Sequence, residues 1–93
     1  MRIWCKLFDN SNHMIKELVS ENAAPDLSRT TKILNGIKEA CYEFDLSEPI
    51  WLDANIADFQ RRSKVRFTSD NFIEDIDFAY MEVEVLSEDE YLY

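Results

Sequence analysis

Between residues 26 and 46 the chain reads DLSRTTKILNGIKEACYEFDL, and Ile33, Leu34, Ile37, Ala40, Cys41 and Phe44 recur there every three or four positions. That spacing lays an apolar stripe along one side of an α-helix, and such a stripe has to be covered. Lys32, Asn35, Lys38, Glu39, Glu43 and Asp45 fall mostly off the stripe. Pro25 and Asp26, or Ser28 as an alternative N-cap, signal the start, and Ser47-Glu48-Pro49 signals the stop. Gly36, the only glycine of the 93 residues, sits mid-helix, where it costs about 1 kcal/mol relative to alanine. Close packing against a bulky neighbour is the expected reason.

The cover for that stripe is read at the start of the chain. In the segment 2–8, Ile3, Cys5 and Leu7 alternate with Arg2, Trp4, Lys6 and Phe8, the two-residue period of a strand. The cluster Asp9-Asn10-Ser11-Asn12 is a turn, and 13–20 returns as a second strand. A turn centred on Asn10 and Ser11 pairs Leu7 with Met14, Cys5 with Lys16 and Ile3 with Leu18, leaving an almost wholly apolar side for the helix. The opposite side then pairs Phe8 with His13, Lys6 with Ile15 and Trp4 with Glu17.

Beyond Pro49, Ile50-Trp51-Leu52 is expected as a short strand or a plugged loop. Asp53 is expected to cap a short helix over 54–62 that buries Ile56 and Phe59, and 64–68 reads as a short strand. Phe72, Ile73 and Ile76 suggest a helical turn. The run FAYMEVEVL at 78–86 alternates Ala79, Met81, Val83 and Val85 with Tyr80, Glu82, Glu84 and Leu86, the clearest strand in the chain, with an acidic outward side. Tyr91, Leu92 and Tyr93 are expected to fray. The order β-β-α-β-α-β-β predicts a single α+β domain over residues 1–93. One layer of mainly antiparallel sheet (hairpin 2–8/13–20, strands near 64–68 and 78–87) is covered on one face by a long helix 26–46 and a short helix 54–62.

Several chemistries are excluded by residue type. One glycine cannot build a phosphate-cradling or dinucleotide-binding loop. One histidine, His13, excludes two-histidine metal motifs, and Cys5 and Cys41 lack the close spacing of a structural zinc site. A zinc site of Cys5, His13 and Cys41 would need a further ligand, and Cys5 and His13 fall on opposite faces of the hairpin. The same ground counts against cysteine catalysis by Cys5 with His13, and Cys41 lies on the buried helix stripe, so both cysteines are expected as reduced core thiols and His13 as an exposed or stacked residue beside the turn. Glu74, Asp75 and Asp77 match no calcium loop and are expected as a solvated face. No catalytic residue, metal ligand or cofactor is predicted.

Charge supplies the remaining signal. A net charge of −9 repels phosphates and anionic lipid, so general nucleic-acid or membrane binding is not expected. No run reaches membrane-spanning length and the start lacks a leader core, so a cytoplasmic location is expected. Arg61, Arg62, Lys64 and Arg66 form a basic island, whereas the chain from Thr68 onward holds nine acids and no lysine or arginine. Internal pairing would set Arg66 across from Glu82 or Glu84. The functional expectation is an interaction module, self-associating or protein-binding, through the sheet side opposite the helix. Its candidate surface comprises Trp4, Lys6, Ile15, Arg61, Arg62, Lys64, Arg66, Tyr80, Glu82 and Glu84. The alternatives are an acidic competitor for a basic, nucleic-acid-binding site and, last, a small enzyme using carboxylate or cysteine chemistry.

Overall fold

A computed structural model describes residues 1–89; the expectation for Tyr91, Leu92 and Tyr93 lies outside the described residues. Four antiparallel strands, β1 (Arg2–Phe8), β2 (Met14–Glu21), β3 (Lys64–Phe67) and β4 (Tyr80–Ser87), form one sheet in the order β2-β1-β4-β3. Helices α1 (Arg29–Glu43) and α2 (Asp53–Arg62) supply the apolar cover. The α+β layer is as the patterns imply. The run 50–52 is a loop, however, so the element order is β-β-α-α-β-β, with a single 3-10 turn at Ser69–Asn71 before β4 and no helical turn at 72–76.

The α1 stripe buries Ile33, Ile37, Ala40, Cys41 and Phe44 against Ile3, Cys5 and Leu7 of β1, Val65 and Phe67 of β3, and Met81 and Val83 of β4. Each fully buried large side chain contributes roughly 1.5–3 kcal/mol. Two positions of the stripe differ from expectation. Leu34 is 46% exposed, whereas Lys32 is only 3% exposed because its ammonium reaches the Asp89 carboxylate at 2.5 Å. The helix starts two residues after the first-choice cap: Ser28, not Asp26, accepts from the Thr31 N–H.

The hairpin departs from the expected register, for a local reason. Asp9 accepts from the Ser11 and His13 N–H groups, Asn12 takes a left-handed conformation (φ 61°), and Asp9 and His13 close the loop at 2.9 Å. Asparagine tolerates that conformation better than most residues. A bulge then leaves Ile15 without a partner, so Leu7 faces Lys16, Cys5 faces Leu18 and Ile3 faces Ser20. The shift is two residues, which preserves the face of Lys16, Leu18 and Ser20 but carries Met14 beside Phe8 and Val19 beside Trp4. Ser20 is thereby brought to α1, where its hydroxyl donates to Glu39 at 2.6 Å.

On α2, Leu52 and not Asp53 is the N-cap residue, and Asn55, not Ile56, is buried beside Phe59. The Asn55 side chain accepts from the Leu52 N–H and from Asn71, and donates to the Arg66 carbonyl. Asn71 also donates to the Ile50 carbonyl and accepts from the Thr68 N–H. Two amides thus satisfy the backbone of a loop, a helix start and a strand end at once. Trp51 closes this corner edge-on to Phe59 and Phe67.

Gly36 rests against β1 and β2. A Cβ there would lie 3.0 Å from Ile3 Cδ1 and 3.5 Å from Ser20 Cβ. Alanine gains about 1 kcal/mol of helix propensity, but Ile3 is 1% exposed and has nowhere to retreat. Gly36→Ala is therefore expected to destabilise the fold by about 1 kcal/mol, read as a lower urea midpoint at unchanged slope; a higher midpoint would show that the contact can relax.

Candidate functional site

Both helices pack on one side of the sheet, so no other described element covers the side chains of the opposite side. Register sets them in rows across the strands. One row runs Glu17, Lys6, Glu82, Arg66 and the next runs Val19, Trp4, Glu84, Lys64, from β2 through β1 and β4 to β3. A third holds Met14, Phe8 and Tyr80.

The first row is closed by ion pairs. Lys6 Nζ lies 3.0 Å from Glu82 Oε1 and 3.1 Å from Glu84 Oε1, and Arg66 Nε donates to Glu82 Oε2 at 2.9 Å. Lys6 and Glu82 are each 6% exposed although no helix covers them. Aromatic rings take that role: Lys6 Nζ sits 3.8 Å from the Trp4 ring centroid, the Arg66 guanidinium lies over Tyr80, and Tyr80 stacks on Phe8 with centroids 4.9 Å apart. The Trp4 indole N–H donates to Glu17 at 3.1 Å, and the Tyr80 hydroxyl and Asn12 side chain lie 3.1 Å apart.

Burial alone would raise the Glu82 pKa, but the hydrogen bonds from Arg66 and Lys6 outweigh it and hold the carboxyl below its ordinary value. Burial likewise pulls Lys6 down, and its bonds to Glu82 and Glu84 leave it raised. Lys6 and Arg66, both raised, and Glu82, lowered, are therefore held in their charged forms at neutral pH.

Of the ten residues singled out from sequence, Trp4, Lys6, Lys64, Arg66, Tyr80, Glu82 and Glu84 come together on this face. Ile15 does not pair with Lys6; it is the bulged residue of β2, half-exposed. Arg61 and Arg62 belong to α2, where both pair with Asp58, so the basic island is divided between two layers. Sequence reasoning omitted Phe8, Glu17 and Val19 from the surface. The strand alternation carried the signal for all three, because the two-residue shift leaves the face of Val19 unchanged and alters only its neighbour, Trp4 in place of Arg2.

Counted along the rows, the face carries four bases (Arg2, Lys6, Lys64, Arg66) against four acids (Glu17, Glu21, Glu82, Glu84). It is electroneutral in a chain whose net charge is −9. Elsewhere, a shallow groove of about 420 Å³ lies between the helices, lined by Leu34, Ile56, Trp51 and Phe59. Cys5 and Cys41 are free and buried. Burial, then Cys41 and Glu39, push the Cys5 thiol up to about 12, and burial, then Glu48, push Cys41 up to about 11. His13 is exposed beside Asp9 in the turn, and Glu74, Asp75 and Asp77 are exposed in the loop before β4. Among the described residues no three histidine, cysteine or acidic side chains gather as a metal site, and no helix is long and apolar enough to cross a membrane.

Comparison of the chain with protein-family models, curated proteins and solved structures returns no match.

Two outcomes follow from these groups. Glu82→Gln is expected to cost roughly 1–3 kcal/mol at neutral pH. Because pairing depresses the Glu82 pKa, its contribution is complete above the ordinary value of 4.5 and is lost as pH falls through the depressed value. The stability gap between wild type and variant, from urea melts, should therefore hold from neutral pH down to 4.5 and narrow as pH falls further; a gap that stays constant in acid would contradict it. With both thiols held far above neutrality, alkylation in the folded protein at pH near 8 should be about a hundredfold slower at Cys41 and about a thousandfold slower at Cys5 than in the unfolded chain. Rapid labelling of either cysteine in the folded state would mark it as reactive.

Proposed function

We propose that this chain is a small protein-interaction module that docks through the sheet face opposite its helices. The observation that supports this most directly is the aromatic and ionic content of that face. Trp4, Phe8 and Tyr80 frame a charged row on a side of the sheet no described element covers. Tryptophan, tyrosine and arginine are the residues that most often anchor interfaces, because they offer large contact area with few rotamers to freeze. Here they are pre-positioned by stacking and by ion pairs, which lowers the entropy that docking must overcome. Electroneutrality of the face fits a protein surface better than a polyanion. Two free buried thiols suit a reducing compartment such as the cytoplasm.

The acidic-competitor reading loses weight on the geometry of its own residues. Of the nine acids from Thr68 onward, Glu82, Glu84, Glu88 and Asp89 are each engaged with a base: Lys6 and Arg66, Lys6 and Lys64, Arg29, and Lys32. Acids neutralised within the fold contribute little long-range attraction for a basic site. The enzymatic reading draws little support from thiols that are buried and pushed far above neutrality.

Replacing Trp4 by alanine, with folding verified by circular dichroism, is expected to weaken association through this face about tenfold or more. Capture from lysate and sizing by light scattering both read the effect. Association and capture unchanged by Trp4→Ala would remove the face from consideration.

A further inference from the structure

We infer that the occupant of this face is a second copy of the same chain, docked face to face about a two-fold axis running parallel to the strands between β1 and β4. The inference rests on the face being an interaction surface and goes on to name its partner and symmetry. What carries it is the order of charge in the central row: Glu17, Lys6, Glu82 and Arg66 alternate in sign from edge strand to edge strand. Such a row is antisymmetric about the sheet midline. A two-fold axis along that midline lays β1 over β4 and β2 over β3 of the other copy. The exposed Glu17 then faces the exposed Arg66 of the second copy, while the nearly buried Lys6 lies opposite its Glu82, and each pair occurs twice, as in any isologous interface. In the neighbouring rows Phe8 meets Tyr80, Trp4 meets Glu84 and Val19 meets Lys64, so no like charges are opposed. Turning the axis to lie along the row instead sets every residue on itself, Lys6 on Lys6 and Glu82 on Glu82, and like charges in contact exclude it. The charge order therefore selects one orientation.

Charge at longer range is compatible with this contact. Each chain carries −9, yet the two meet where neither brings net charge. Strand spacing of about 4.8 Å and rise of about 3.3 Å give a projected face of roughly 450 Å² per copy. That is below the roughly 800 Å² per partner of a standard interface, so the dimer is weak and concentration-dependent. Sheet twist sets the two layers about 30° apart and concentrates contact on the central rows.

Analytical ultracentrifugation over low to several hundred micromolar protein tests this directly. Wild type should pass from monomer to dimer as concentration rises. Glu17→Arg lies on an exposed edge strand and should leave the fold intact, yet it opposes Arg66 of the other copy twice and should weaken the dimer about tenfold or more. Arg66→Glu should do the same against Glu17. An equimolar mixture of the two variants should associate again, because opposite charges meet at both ends of the heterodimer. A wild type that stays monomeric but still captures a different protein through Trp4 overturns the second-copy inference and leaves the interaction face standing. A dimer indifferent to Glu17→Arg and to Trp4→Ala overturns both. A mixture that fails to reassociate, with each variant folded, rejects the assigned axis.

Discussion

The carboxylate of Glu82 ties three strands together on the side of the sheet that no described helix covers, accepting from Lys6 on β1 and Arg66 on β3. Its neighbours in sequence, Met81 and Val83, point into the core from the same strand. A slip of one residue would therefore drive this acid into an apolar interior and expel the two side chains that anchor β4. Pairing across the bare face and packing across the covered face specify the same register.

Buried ion pairs are poor sources of net stability, since desolvation offsets most of the attraction. A carboxylate and an ammonium at 6% exposure on an otherwise open face therefore call for another role. Held by aromatic rings, they form a charge pattern with fixed positions, and under the proposed docking role selectivity would draw on that pattern more than on strength. The helical side illustrates the contrast. There, α1 presses Gly36 onto Ile3, and a pair of buried amides, Asn55 and Asn71, locks the corner, all in the service of packing.

Much of this was legible in the chain because period is a local property. The α1 stripe, the alternation of β1 and β4, the close approach at Gly36 and the placing of Arg66 across from Glu82 or Glu84 all followed from spacing; the structure selects Glu82. What escaped depended on single residues or distant partners. The hairpin register turned on Asn12 entering a left-handed conformation and on a bulge at Ile15, neither of which periodicity can display. Lys32 was assigned to the wet side of α1 because its partner, Asp89, lies 57 residues away. That long-range ion pair is what lets the Lys32 ammonium lie buried. Similarly, the acidic C-terminal third read as one charged block until the fold distributed its members among Lys6, Arg29, Lys32, Lys64 and Arg66.

The two tryptophans report on the two candidate surfaces, Trp4 on the bare sheet face and Trp51 in the groove between the helices. Their indole N–H resonances in a proton–nitrogen correlation spectrum, followed from dilute to concentrated protein, separate the alternatives in one titration. The account predicts that the Trp4 signal shifts or broadens with concentration while Trp51 stays fixed. Movement of Trp51 with a stationary Trp4 would place association in the helical groove and contradict the role assigned to the sheet face.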